Sequence, residues 1–222
     1  VNPLLGTATL WDSVDLGFKP TKRTWGAEVF PGSSLPNAMV QVSPVTKFHS
    51  GAGYQYEDSV IYGFTHTNKG HWNLCHIPLL PVTGTPLPGD YCSPYSHARE
   101  SAAPGYYRVF LDRYGVDVEL TATKRVGLHK YTFPASQEAA VVFDLENGGC
   151  WDKATDTGFR FSDDSTRISG WRYSTGWAKD QRVYFAAEFS KPFEKFETIG
   201  DNYARASFRT TDGEQVSLKV AL

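Results

Sequence analysis

Val116-Asp117-Val118-Glu119-Leu120-Thr121 alternates apolar and polar side chains at every step, and its reading decides the class of fold. Side chains of an extended chain point alternately to opposite faces, so a period of two predicts a strand with one dry and one wet face. Two runs of the same kind flank it, Tyr106 to Leu111 and Val126 to Phe133, with turn residues between them at Asp112 to Gly115 and at Lys124-Arg125. Strands in sequence order joined by tight turns predict an antiparallel meander.

Outward from this meander the pattern repeats. Toward the C-terminus strands are expected at Ala139 to Leu145, Gly158 to Ser162, Arg167 to Ser174, Val183 to Phe189, Phe193 to Ile199, Ala204 to Thr210 and Val216 to Leu222. Toward the N-terminus they are expected at Met39 to Val45, Tyr54 to Tyr56, Val60 to Thr67 and Leu79 to Thr83, with Gly84 to Ala103 as a Pro, Ser and Tyr-rich connection. The best helix candidate, Ala186 to Phe196, contains Pro192 and alternates as well as it cycles. About a dozen short strands without a long helix predict an all-β fold, a large antiparallel β-sandwich of the supersandwich type. No internal repeat or low-complexity linker divides residues 1–222, so a single domain is expected. Its last strand runs to Leu222 with no polar tail, which reads as one domain of a longer two-domain protein.

Composition narrows the partners. The 222 residues carry a formal net charge of -2, with 21% charged residues, so no basic surface for nucleic acid and no acidic tail is indicated. Aromatic residues make up 14%, including six Trp and twelve Tyr, a content shared by sheet proteins and carbohydrate-binding surfaces. Cys75, Cys92 and Cys150 allow at most one disulfide, with Cys75 and Cys92 the conceivable pair; free thiols are the preferred reading. No apolar run is long enough to span a membrane. No signal peptide opens the sequence, and a start at Val1 reads as a processing boundary.

One stretch stands apart chemically. Val60 to Thr67 has strand composition and runs into Asn68-Lys69-Gly70-His71-Trp72. His66, Lys69, His71 and Trp72 converge there if Gly70 turns the chain. A flat indole beside a cation and imidazoles suits a polyhydroxylated ligand, whose apolar ring face stacks while its hydroxyls take donors and acceptors. The competing reading makes Trp72 a packed loop residue and His66 a satisfied core histidine. Glu146-Asn147-Gly148-Gly149-Cys150-Trp151-Asp152 repeats the logic, with two glycines allowing close approach ahead of a Trp. In Gly170 to Trp177 packing is favoured, because Trp171 and Tyr173 alternate as core-facing strand residues would. The irregular opening, residues 1–38, adds Trp11, Trp25, Glu28 and Phe30 as loop candidates.

Acid-base chemistry on a glycoside needs two carboxylates. Glu28, Asp58, Asp144, Glu146, Asp152 and Asp156 lie near aromatics or strand ends, but none is privileged, and each reads first as a solvated charge or a turn residue. No nucleophile elbow, phosphate loop or metalloprotease helix is present. His71 and His76 are not on a helix, so no metal pair is assigned to them.

Several passages, taken in order, resemble one family. Asn2-Pro3-Leu4-Leu5-Gly6-Thr7, Phe30-Pro31-Gly32, Gln41-Val42-Ser43-Pro44, Gly53-Tyr54-Gln55-Tyr56, Gly63-Phe64-Thr65-His66-Thr67, Pro104-Gly105-Tyr106-Tyr107, Glu119-Leu120-Thr121-Ala122-Thr123 and Phe189-Ser190-Lys191-Pro192-Phe193 look like the N-terminal domain of glycoside hydrolase family 92, the exo-acting α-mannosidases. The resemblance implies a β-sandwich packed against a C-terminal (α/α)-barrel, with calcium-dependent, inverting hydrolysis of mannose-containing glycans at the domain interface. It implies an exported bacterial protein, periplasmic or extracellular. Because the family's acid, base and most calcium ligands belong to the C-terminal domain, no catalytic residue and no metal ligand is nominated here. The substrate-binding candidates are Trp25, Lys47, Tyr54, His66, Lys69, His71, Trp72, Cys150 and Trp151. Asn68 to Trp72 departs from the His and Ser-Gly-rich loop common in the family, which leaves linkage and sugar open. The alternative function is a stand-alone carbohydrate-binding sandwich without catalysis.

Overall fold

The computed structural model describes residues 1–9, 17, 29–69 and 72–222. Antiparallel strands supply the architecture, and among the described residues the one helical element is a 3-10 turn at His97–Arg99. A seven-stranded sheet runs in the order Ser33–Ser34, Gln41–Val45, Gly63–Thr65, Leu79–Thr83, Ser136–Asp144, Tyr203–Thr210, Lys195–Ile199. An eight-stranded sheet runs Lys153–Phe161, Arg167–Thr175, Gln181–Phe189, Glu214–Ala221, Val126–Phe133, Val116–Ala122, Tyr106–Leu111, Glu100–Ala103. The meander is there: Val116–Ala122 pairs with Tyr106–Leu111 on one side and Val126–Phe133 on the other. Val116, Val118 and Leu120 are buried, whereas Asp117 and Glu119 are only half-buried and Thr121 is exposed.

The sheets pack face to face through aromatic rings. Phe143 of the first lies 6.0 Å from Phe185 of the second, and Phe133 of the second meets Phe208 of the first edge-on at 5.5 Å. Fully burying a side chain of this size contributes about 1.5–3 kcal/mol, so this layer is the main source of stability. Ser136–Asp144 is buried on both faces from Ala139 onward. Its outer side is covered by the connection that follows Thr83, where Tyr91 packs on Tyr203 and Arg205 donates to the carbonyl of Gly84.

A polar chain of contacts also crosses the sandwich. His66 Nδ1 lies 3.0 Å from the Ile77 carbonyl, His66 Nε2 lies 2.9 Å from His129 Nε2, and His129 Nδ1 lies 2.9 Å from the Tyr131 hydroxyl. A carbonyl only accepts, so Nδ1 of His66 carries the proton and its Nε2 accepts from His129, whose Nδ1 then accepts from Tyr131. One arrangement of protons satisfies every group, and both imidazoles in it are neutral. Burial pushes the His66 pKa down to about 4 and that of His129 well below its ordinary value. The sheets approach closely here, since a Cβ on Gly127 would fall 2.7 Å from Val42 Cγ2 and 3.0 Å from His66 Cδ2.

The structure corrects several sequence expectations. Val60 to Thr67 is not one strand: Val60–Ile61 pairs with Ser93–Pro94, and Gly63–Thr65 switches to Gln41–Val45 and Leu79. Tyr54 to Tyr56 is not a strand, and the expected connection ends in the strand Glu100–Ala103. In Arg167–Thr175 the phase is the reverse of that expected. Ile168, Gly170, Arg172 and Ser174 point inward, and Trp171 and Tyr173 point outward. Arg172 takes the inner position because a carboxylate waits there, and charge pairing outweighs the preference for an inward Trp.

Candidate functional site

Three separate loops bring three tryptophans together at one end of the sandwich. Asn68–Lys69 folds back on Trp72–Asn73 as a two-stranded ribbon, with Lys69 opposite Trp72. Trp151 comes from the loop after Ser136–Asp144, and Trp177 from the turn after Arg167–Thr175. Trp72 lies 5.4 Å from Trp151 and 5.5 Å from Trp177, and the last two stack at 6.3 Å. Lys69 Nζ sits 4.2 Å from the Trp177 ring centre, within the range of a cation–π contact. Trp151 is 60% exposed and Trp177 44%, while Trp72 between them is half-buried.

The rings are exposed but their supports are not. Arg172 is fully buried; its Nε donates to the Leu145 carbonyl at 2.8 Å and its Nη2 to Asp152 at 2.5 Å. Asp152 accepts further bonds from Ser174 Oγ at 2.7 Å and Gln181 Nε2 at 2.9 Å. This ties the Trp151 loop to both strands that flank Trp177. Gly148 and Gly176 are required where they stand, because a Cβ on either would collide with Asp152. Asp144 closes the other end of the loop, accepting from the backbone N–H groups of Glu146 and Asn147, and burial raises its pKa.

Asn73 joins that loop to the Trp72 ribbon. Its Oδ1 accepts from Thr65 and from the Cys75 N–H, and its own N–H donates to Gly51. A Cβ on Gly149 would strike the Asn73 carbonyl, so only glycine lets the two loops meet. Cys150 is in the left-handed region at φ 42, which a side chain adopts at a cost, and its carbonyl and thiol bond to His49 and Ser50. It therefore anchors the 47–51 turn. All three cysteines are free thiols.

The candidates thus divide. Lys69, Trp72 and Trp151 meet in the cluster, and Cys150 supports it. Lys47 is exposed and lines a cleft of about 530 Å³ with Phe48 and Tyr62. Tyr54 and His66 are buried core residues. His66 belongs to the inter-sheet chain described above. The Tyr54 hydroxyl donates to Glu100, whose fully buried carboxylate also accepts from Tyr107 and lies 2.5 Å from His97 Nδ1. Trp25 and His71, together with Trp11, Glu28 and Gly70, lie outside the described residues.

Asp144 and Asp152 are buried rather than solvated, and Asp144 takes the turn role that was the other expectation, accepting from the N–H groups two and three residues on. Trp177 is the cluster member that sequence reasoning assigned to packing. The signal for it was local: Gly176-Trp177 follows a strand end as Gly148-Gly149-Cys150-Trp151 does. Among the described residues no group of three or more His, Cys, Asp or Glu is placed to hold a metal ion.

Two antiparallel sheets facing each other, with an aromatic surface built from loops at one end, define a large β-sandwich whose candidate site sits on its connections. The family model of the glycosyl hydrolase family 92 N-terminal domain matches residues 1–222, and the chain belongs to that family. Among solved structures it is similar to the family GH92 alpha-mannosidase BT3965 from Bacteroides thetaiotaomicron, at 28% identity and TM-score 0.84, covering 100% of this chain and 32% of that one. It is also similar to the gh92 family glycosyl hydrolase ccman5, at 25% identity and TM-score 0.78, again covering 100% and 32%. The inverting mannosidase BT2199 from Bacteroides thetaiotaomicron, at 24% identity and TM-score 0.78 over 100% of this chain and 30% of that one, shares the fold. A comparison with curated proteins returns no match. The chain spans about a third of the length of the solved structures it matches.

Proposed function

We propose that this domain supplies part of the sugar-binding wall of an exported, inverting exo-α-mannosidase acting on mannose-containing glycans. The observation that carries the reading is the cluster of half-buried Trp72 with exposed Trp151 and Trp177, with Lys69 over one ring. Indole faces stack on the C–H face of a pyranose, and a lysine at the rim donates to its hydroxyls. Membership of the family supports mannose as the sugar, and a relative in the same family has been solved in complex with mannoimidazole. In this reading the catalytic acid and base, and the calcium the family resemblance implies, belong to a C-terminal domain that packs on this cluster.

The chain alone then hydrolyses no aryl α-mannoside, and turnover appears when the C-terminal domain is joined to it. Within the joined protein, Trp72→Ala raises KM for mannobiose. Hydrolysis by the purified chain alone, or a KM and kcat unchanged in Trp72→Ala, overturns the assignment.

A further inference from the structure

A second aromatic surface lies on the outward face of the eight-stranded sheet. The register places Trp171 opposite Gly158 on one side and Tyr184 on the other, with Tyr173 opposite Asp156 and Arg182 in the next row. Trp171, Tyr173, Tyr184 and Asp156 line an open cleft of about 460 Å³ together with Arg160 and Ser169. We propose that this cleft is a second carbohydrate site, taking a pyranose of the same glycan on the Trp171 ring. The choice of mannose as its sugar rests on the function proposed above; the site itself does not share residues with the loop cluster.

The rings are set before any ligand arrives. Trp171 lies directly over Gly158, where a Cβ would collide with its six-membered ring, and its Nε1 donates to Asp156 Oδ2 at 2.8 Å. Tyr173 and Tyr184 stand edge to face at 5.8 Å and share a hydroxyl hydrogen bond of 2.7 Å. Fixing the side chains in advance removes much of the ordering cost of binding. Trp171 is half-buried over Gly158 and lines the cleft, and Tyr184 is 57% exposed beside it.

The surroundings favour a sugar over a protein partner. Arg160 lies over the Trp171 ring at 5.8 Å and Arg182 over that of Tyr173 at 5.2 Å, long side chains that can swing to a ligand's edge, while Asp156 holds the indole edge as an acceptor. Hydroxyls at the edge of a stacked pyranose need that mixture. The aromatic area is also confined. Along the same strands it gives way to Arg167, Glu188 and Lys219, an ion-paired row, and a stable protein interface needs a continuous patch far larger than one ring stack.

The test reads the tryptophan indole N–H resonances of the isotope-labelled chain during titration with α-linked mannobiose. The Trp171 resonance is expected to shift with saturation in the millimolar range. Trp72→Ala leaves that shift intact, whereas Tyr184→Ala and Asp156→Ala, the latter cutting the tether to the indole N–H, each weaken it several-fold. A Trp171 resonance that stays in place up to tens of millimolar mannobiose overturns the site. If only Trp72, Trp151 and Trp177 respond, this inference falls and the proposed function stands; if only Trp171 responds, the reverse holds.

Discussion

The inter-sheet histidine chain and the tryptophan cluster grow from the same short stretch, yet they are opposite kinds of structure. His66 is buried, both of its ring nitrogens have partners, and burial keeps it neutral. Trp72, a few residues on, is shared between two other loops and leaves its neighbours' ring faces exposed. Both regions are polar-aromatic in sequence. What separates them is burial: His66 is sealed between the sheets with both ring nitrogens bonded, whereas Trp151 and Trp177 beside Trp72 stay exposed to solvent. Ile77 shows how far the core goes to complete its own set: it is β-branched yet held at φ 53, so that its carbonyl meets His66.

The comparison breaks most severely at Arg172. Arg172→Met removes one member of a buried ion pair and leaves Asp152 uncompensated, which costs about 3–5 kcal/mol. Urea unfolding measures the loss, and the Trp151 and Trp177 resonances then broaden or move because their common support is gone. A stability change within error would mean that the loop is held by something other than this pair.

The histidine chain is sharpened by acid. Burial holds His66 and His129 neutral in the folded protein, whereas the unfolded chain takes protons near pH 6.5. The unfolded state therefore binds more protons below that pH, so stability is full above about 6.5 and falls as pH drops toward the His66 value of about 4. Each unit of displacement is about 1.4 kcal/mol. The urea midpoint should drop between pH 7 and pH 4.5, and His66→Leu combined with His129→Leu should reduce that slope, although buried His76, also lowered to about 4, keeps part of it. A midpoint independent of pH over this range would contradict the neutral pair.

Effects at the cluster are smaller on stability. Trp72→Ala removes two ring contacts worth about 0.5–1.5 kcal/mol each, less than the Arg172 change, while it weakens mannobiose binding. Lys69→Gln is the mildest: an exposed cation–π contact is worth about 0.5–1 kcal/mol. It should leave the melting curve nearly unchanged and move the Trp177 resonance.

Much of the fold is legible in the sequence. Tyr106–Leu111 and Val126–Phe133 fall where alternation puts them, because a strand's side-chain period is a property of the backbone itself, and Leu79–Thr83 falls where strand composition puts it. The resemblance to family 92 is likewise carried by short local runs. The site was legible only in part. Trp72 and Trp151 could be nominated from glycine-bearing loops at strand ends, but His66 and Tyr54 share those runs and go inside.

Alternation also says that a strand has two faces without saying which is inner. In Arg167–Thr175 one phase offers Trp171 and Tyr173 and the other Arg172 and Ser174, and hydrophobicity alone favours the wrong one. The sequence by itself determined the all-β class, most strand positions and the family. Only the tertiary structure decided that Arg172 would turn inward to Asp152, send Trp171 and Tyr173 to the surface, and gather Trp72, Trp151 and Trp177 at one end. The reason is that strand periodicity is local, whereas the cost of an unpaired buried charge is settled by a partner on another loop.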